Sequence, residues 1–370
     1  MSANPDLIIV GAGAIGTACA RALASRGVSV LLVEAGPKPG AATPASAGML
    51  APLVETNRDD PMLALCVRAR DLYRELAPAL RDETGIDIGL WTAGILTVAF
   101  SEEELGRLKE EVAWQRQQGY HAEWLTPEEI KERHPGISPA ILGGVLAAED
   151  GALDPLALNE AMLRSAMARG ANLLQGERVD ELVVRDGRLT AVRTATRTIS
   201  AGAAVIAAGC WSGRISGLPR PLSVEPVRGQ LVALDWPAGE PPGIVYAGQG
   251  YLLKRGSEAI AGTTVEHVGF DPGVTEAGTA SILATARKVF PALAGKPVLR
   301  QWAGLRPGTP DGRPMVGRDP EIPNLWYATG HGRHGILLAA LTGEIIANLF
   351  AGEKQEYDLS PLDPSRFWSQ

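Results

Sequence analysis

The sequence predicts an α/β protein, α+β overall. A parallel-sheet domain carries a second, mostly antiparallel β-sheet domain inserted into it. Three observations predict this. A short apolar run at 7–10 leads into a glycine-rich turn and a helix-compatible stretch. Through much of 179–264 strand-like segments, one of them clearly alternating apolar and polar, are broken by Gly and Pro. From 325 onward the order strand, glycine turn, apolar helix returns.

Leu7-Ile8-Ile9-Val10 is continuously apolar, as expected of a strand buried on both faces. From Ala14 to Ser25 small and apolar residues favour a helix, which Gly27 ends. A second buried strand at 28–33 completes a βαβ unit. The stretch 36–52 is rich in Gly, Ala, Pro and Ser and reads as one long loop; loops of that length usually have a function. Ser101 with Glu104 and Thr126 with Glu129 have capping-box spacing. Pro127 opens the second of these helices and Pro135 ends it. Asp154-Pro155 begins another helix, stopped by Gly170. The alternation over 179–192 turns at Arg185-Asp186-Gly187, a hairpin signal. A buried strand follows at 205–208. At the end, 325–329 reads as a strand and 336–349 as an apolar helix.

Hydrophobic residues make up 45% of the 370 and charged residues 21%, which suits a folded globular chain. The net charge is -7 and no Lys/Arg cluster occurs, so nucleic acid is not an expected partner. Cys19, Cys66 and Cys210 have no CxxC spacing and form neither a disulfide framework nor a zinc site. They fit a reducing cytoplasm. Glycines interrupt the first apolar stretch, unlike a secretory signal. No apolar run reaches about 18 residues, so no membrane span is expected. The oligomeric state stays open, a homo-oligomer included.

Gly11-Ala12-Gly13-Ala14-Ile15-Gly16 matches GxGxxG between a strand and a helix. Its glycines serve a tight turn, close approach to a pyrophosphate, and helix–strand packing. The helix N-terminus offers N–H groups and partial positive charge to phosphates. Glu34, followed by Ala35, stands where a carboxylate accepts from ribose hydroxyls. An acid there disfavours a 2′-phosphate. The domain is therefore Rossmann-type, and the motif leaves NAD and FAD open. No redox cysteine pair, as a two-nucleotide reductase would carry, is present. The turn Gly330-His331-Gly332, at a helix start, suits the electron-rich edge of a flavin.

With these residues in view, the chain resembles the D-amino-acid oxidase superfamily, in its glycine oxidase branch, which serves thiamine biosynthesis. The resemblance runs through 6–34, Thr43-Pro44-Ala45-Ser46-Ala47-Gly48-Met49, Ala207-Ala208-Gly209-Cys210-Trp211-Ser212, Gly304-Leu305-Arg306-Pro307 and Gly330-His331-Gly332-Arg333-His334-Gly335-Ile336. It implies FAD lying along 43–49, with Val179 meeting the adenine through its backbone. Ala208, Gly209 and Trp211 would pass close to the cofactor, and the turn from Gly330 to Leu337 would face the flavin pyrimidine end. The monomeric sarcosine oxidases attach flavin through a Cys near the C-terminal third. The cysteines here lie elsewhere, which implies noncovalent FAD. The expected division is 1–84, 145–215 and 305–370 for FAD, and 85–144 and 216–304 for substrate.

An amino-acid oxidase needs a fixed cation for the substrate carboxylate. Arg306, between Gly304-Leu305 and Pro307, is the candidate, since a guanidinium binds a carboxylate in bidentate fashion. A surface salt bridge is its alternative. Tyr246 and Tyr251 are candidates for the pocket wall and a second carboxylate bond, and Met49 for the flavin side of the pocket. Core packing is the alternative for all three. Arg333 is a candidate to stabilise anionic flavin or the substrate region. His331 and His334 are three apart, but no third ligand accompanies them and no metal is expected. The implied reaction is hydride transfer from the α-carbon of glycine, sarcosine or a small D-amino acid to flavin, with oxygen as final acceptor. A quinone-linked dehydrogenase and a noncatalytic FAD protein are the alternatives.

Overall fold

The structure, a computed structural model, describes residues 5–236, 243–248 and 250–368. Two sheets organise it. The first has six strands, in the order Met315–Arg318, Leu325–Thr329, Ala203–Ile206, Leu7–Val10, Val30–Glu34, Asn172–Gln175. All neighbours run parallel except the first pair. Leu7–Val10 sits inside the sheet and is buried throughout, as its unbroken apolar character requires. The helices Ala14–Ala24 and Gly335–Ala351 cross closely, because Gly343 places no side chain against the Ala18 carbonyl.

The C-terminal helix bears on the expectation that no apolar run reaches membrane-spanning length. The segment Gly332–Ala351 has a mean hydropathy of 1.5 and is long and apolar enough to cross a membrane by length and composition alone. Arg333, His334, Thr342, Glu344, Asn348 and its glycines break the apolar run without lowering the average enough. Here it is a core helix: Leu338, Ala339, Ile345, Ile346 and Ala347 are buried with Ala18 and Leu23 in one cluster.

The stretch 36–52 is also more ordered than a plain loop. It holds a helical turn, Ala42–Ala45, and a short strand, Met49–Leu50, paired with Gly151–Ala152. The small residues that suggested a loop are what let it lie close to other backbone. Thr126 and Glu129 form a complete capping box. Ser101 caps Glu104, but the Glu104 carboxylate accepts from Phe100 instead of Ser101, so that box is half made. The hairpin pairs Val179–Arg185 with Arg188–Thr194 through Asp186 (φ 50) and Gly187 (φ 72), the left-handed pair of a type I′ turn. With Thr198–Ser200 it forms a small separate sheet.

The second large sheet has eight strands, in the order Val298–Gly308, Glu225–Asp235, Glu258–Gly262, Gly250–Arg255, Ile244–Ala247, Ile95–Ala99, Gly143–Ala147, Ala122–Leu125. Side chains alternate across it. Leu96, Val98, Val232, Leu234, Leu252 and Ala261 pack one face against the helix Glu276–Val289. The opposite face carries Leu231, Tyr246, Tyr251, Leu253 and Ile260, which pack with Ala47, Met49 and Ala51. That second face meets the parallel-sheet region, and the candidate site lies there.

Candidate active site

The glycine loop has the geometry its sequence demands. Gly11 has φ 104, and a Cβ there would fall 2.6 Å from the Ala207 carbonyl oxygen. A Cβ on Gly16 would fall 1.9 Å from the Gly11 oxygen. Gly13 caps the helix Ala14–Ala24 with no side-chain hydrogen bond, so the helix end presents backbone to its surroundings. Thr43 Oγ1 accepts from the Ala14 N–H at 3.1 Å, joining the 43–49 segment to this helix end. Ile15 is half-buried beside it. Glu34 does more than expected. Its Oε2 accepts from the Ala12 N–H at 2.8 Å and its Oε1 from the Gly36 N–H at 2.9 Å. The carboxylate thus braces the glycine loop, and its remaining lone pairs stay available beside half-buried Ala35.

The 43–49 segment is held by backbone contacts. Ser46 Oγ accepts from the Gly48 N–H at 3.0 Å. The Ala45 carbonyl accepts from Trp302 Nε1 at 3.1 Å, and the Ala45 methyl occupies the space left by Gly304. The Ala47 carbonyl accepts from Arg255 Nη2 at 2.6 Å, and the same nitrogen donates to the Leu153 carbonyl at 2.9 Å. Sequence reasoning missed Arg255 and Trp302, which fix this segment from the far sheet. Gly48 has φ 80, and its Cβ would fall 1.9 Å from the Leu153 oxygen. Gly48→Ala is expected to weaken retention of a cofactor along this segment about tenfold or more, through backbone strain and displacement. Equilibrium dialysis of cofactor from wild type and variant measures it.

At the C-terminal turn, Gly330 (φ 76) and Gly332 (φ 54) take left-handed backbone. Gly335, Ile336 and Leu337 begin the helix, with no side-chain cap at His334. The two imidazoles do not form a metal face. His331 Nε2 lies 3.0 Å from Thr342 Oγ1, turned into the core, so only its backbone faces the turn. Among the described residues no group of three His, Cys, Asp or Glu could hold a metal ion. Buried His334 Nε2 has no hydrogen-bond partner among the described residues. Ala208 and Gly209 stand half-buried at the end of the strand Ala203–Ile206. Trp211 lies beneath Lys38, whose Nζ is 5.1 Å from its ring centroid. Val179 is buried against Ile8, Val10 and Val33.

Burial lowers the His331 pKa to about 3, so it folds neutral. An unfolded histidine titrates near ~6.5. Between those values the unfolded chain holds the extra proton. Its contribution to stability is full above ~6.5 and falls as pH drops toward the folded value. His331→Gln is expected to flatten the pH dependence of the urea midpoint in that window relative to wild type.

The large sheet assembles the rest. Tyr246 pairs with Tyr251, Tyr251 with Gly262, Gly262 with Leu231, and Leu231 with Trp302. Directly paired residues share a face, and Gly304 and Arg306 follow Trp302 at intervals of two. One row of the sheet therefore presents both tyrosines and the arginine to the 43–55 segment. The Arg306 guanidinium lies over Gly229, where a Cβ would come within 2.2 Å. It donates to Thr263 Oγ1 at 2.7 Å and to the Thr264 carbonyl at 3.2 Å. Among the described residues it pairs with no carboxylate, which sets aside the surface salt bridge. Burial pulls its pKa below the usual arginine value, and Tyr251 and Glu55 favour its charge. Tyr246 and Tyr251 are buried, with ring centroids 5.5 Å apart. Burial raises both phenol pKa values, so they stay protonated. Met49 is buried beside them. Arg333 is exposed, yet close enough to lower the pKa of both phenols.

Residues 6–349 match the family described as FAD dependent oxidoreductase. The chain belongs to that family. The glycine oxidase of Geobacillus kaustophilus is 34% identical over 99% of this chain and 98% of its own. Its crystal structure superimposes with a TM-score of 0.93 at 33% identity, covering 99% of each chain. A bifunctional protein ThiO/ThiG of Trichormus variabilis is 35% identical over 99% of this chain, which spans only 55% of that relative. This FAD dependent oxidoreductase has residues that fit its cofactor. Two helix N-termini lack side-chain caps. Gly11, Gly16 and Gly48 admit backbone where a Cβ would collide. The orphaned His334 Nε2 borders the C-terminal turn.

Proposed function

We propose that the protein oxidises glycine and other small amines or amino acids, sarcosine and small D-amino acids included. The products are hydrogen peroxide and the imine, which water hydrolyses to a carbonyl compound, a 2-oxo acid from an amino acid, and ammonia, or methylamine from sarcosine. The observation that carries this is Arg306: a half-buried guanidinium without a carboxylate partner among the described residues, on the sheet face that meets the 43–49 segment. Bound FAD supplies a hydride acceptor that oxygen reoxidises. Arg306 holds the substrate carboxylate, and the Tyr251 hydroxyl donates a second bond to it. The buried tyrosines and Met49 exclude water and leave little room for a large side chain. Arg333 adds positive charge at the mouth. Orientation and fixed charge carry the rate.

FAD would be noncovalent: Cys19, Cys66 and Cys210 are buried, and burial pushes their thiols up to about 12. In this reading Gly11 to Gly16, Glu34 and Ala35 take the adenosine and pyrophosphate side. Thr43 to Met49 and Ala208 to Trp211 line the middle. Gly330 to Leu337 faces the flavin. The FAD-binding part would be 1–84, 145–215 and 305–370, and the substrate part 85–144 and 216–304. The six-stranded and eight-stranded sheets support that division, with Gly143–Ala147 and Val298–Gly308 running across two of its edges. The protein would work in the cytoplasm and feed thiazole synthesis for thiamine.

Anaerobic mixing of the FAD-loaded protein with glycine, sarcosine and D-alanine tests this. The expected result is bleaching of the visible flavin band, and recovery with hydrogen peroxide when air enters. A band that none of the three bleaches overturns the reading. Bleaching without reoxidation by oxygen makes the protein a dehydrogenase.

A further inference from the structure

Arg306 and Tyr251 account for a carboxylate, but an amino acid also presents an amine. The opposite end of the same wall has the chemistry to read it. A phenol has one hydrogen to donate and two lone pairs to accept with. The Tyr246 hydroxyl donates its hydrogen to Glu55 Oε1 at 2.8 Å. With that hydrogen committed, Tyr246 Oη can take part in further hydrogen bonds as an acceptor only. Glu55 Oε2 has no partner among the described residues, and the side chain is half-buried at the end of the turn Pro52–Glu55. Tyr251 differs. Its hydroxyl makes no hydrogen bond among the described residues, so it keeps its hydrogen for an anion.

We propose that Tyr246 and Glu55 form an amine-reading subsite, accepting two N–H hydrogens of a substrate whose carboxylate lies on Arg306 and Tyr251. This rests on the amino-acid oxidase reading above. The wall is then polarised, with acceptors and negative charge at one end and donors and positive charge at the other. Glu55 is near enough to act on Tyr246, Tyr251, Arg306 and His334. Two acceptors demand two N–H groups. Glycine and sarcosine, as ammonium ions, carry three and two. N,N-dimethylglycine carries one and leaves an acceptor without a partner, which costs affinity. The subsite therefore selects primary and secondary amino acids over tertiary ones.

Ligand binding to the FAD-loaded protein tests this independently of turnover. Glycine, N,N-dimethylglycine and acetate are titrated without oxygen, following perturbation or bleaching of the visible band. The wild type is expected to bind glycine more tightly than the other two. Glu55→Gln keeps the shape and removes the charge; Tyr246→Phe removes the second acceptor. Each is expected to weaken glycine about tenfold or more while changing acetate less than about twofold. Equal weakening of glycine and acetate, or no weakening of glycine, overturns the proposal. So does a wild type that binds acetate as tightly as glycine. If glycine perturbs the band but never bleaches it, the oxidase reading fails, and the ratio of glycine to acetate affinities still decides the subsite.

Discussion

Arg306→Ala is expected to lower kcat/KM for glycine about a thousandfold, a loss of roughly 4 kcal/mol in transition-state stabilisation, with FAD still bound. The size follows from what the side chain does alone. No carboxylate shares its charge among the described residues, so a substrate carboxylate would find an undivided, partly desolvated cation. A hydrogen bond in which both partners are ionised is about twice as strong as a neutral one, and a guanidinium offers two in parallel. Removing it raises KM through lost binding. It also lowers kcat, because a substrate without its anchor samples orientations that do not react. Arg306→Lys is expected to recover only part of the loss, since an ammonium offers a point charge without the fork. FAD should remain, because the guanidinium's protein contacts are Thr263 and Thr264, which directly follow the strand Glu258–Gly262 of the far sheet. Steady-state kinetics with the flavin spectrum of each variant measures this. A variant with wild-type glycine kinetics removes Arg306 from the site, and a colourless variant makes its role structural.

What was legible in the sequence was mostly local. The glycine loop, the Thr126 box and the Asp186-Gly187 turn depend on a few adjacent residues, and each formed as read. Arg306 was legible because Gly304 and Pro307 frame it, yet its setting was not. The glycine it lies over is Gly229, on the neighbouring strand, and strand register is not written in either strand alone. The same applies to the tyrosine pair. Tyr246 and Tyr251 share a face only because the pairing of Ile244–Ala247 with Gly250–Arg255 sets them directly opposite. Glu55 and Arg255 escaped notice for a related reason. Glu55 meets Tyr246 across 191 residues of chain, and Arg255 meets Ala47 across 208. A charged residue acquires such a role from the fold around it, and nothing in its immediate neighbourhood announces it. Glu55 left one trace, as a single acid directly after the small-residue stretch.

The turn that carries Glu55 depends on a buried ion pair, which leads to the second large expected effect. Arg70→Ala is expected to cost about 3–5 kcal/mol of stability. Arg70 is 4% exposed and Asp150 is fully buried. Arg70 Nη1 donates to Asp150 Oδ1 at 3.0 Å, while its other nitrogens reach Asp71 at 2.9 Å and Glu149 at 3.1 Å. Asp150 Oδ2 accepts from the Leu53 N–H at 2.9 Å, so this carboxylate ties the helix Leu63–Thr84 to the turn Pro52–Glu55. Burial pushes the Asp150 carboxyl up, and Arg70 is the main influence holding it down. Without the guanidinium, an unpaired carboxylate is left in the interior, and its folded pKa rises further above that of the unfolded chain. A group shifted in that direction is least costly when protonated. The deficit of the variant is therefore expected to be largest near neutral pH and to shrink as pH falls toward the unfolded value of ~3.9. Arg70→Met with Asp150→Asn is expected to lose less than Arg70→Ala, because it removes both charges together. Urea midpoints at pH 7.5 and pH 5 for the wild type and the two variants measure this. If the Arg70→Ala deficit is the same at both pH values, Asp150 is not the group that Arg70 stabilises. Loss of stability with unchanged glycine binding by the folded fraction would show that the pair holds the fold without setting the position of Glu55.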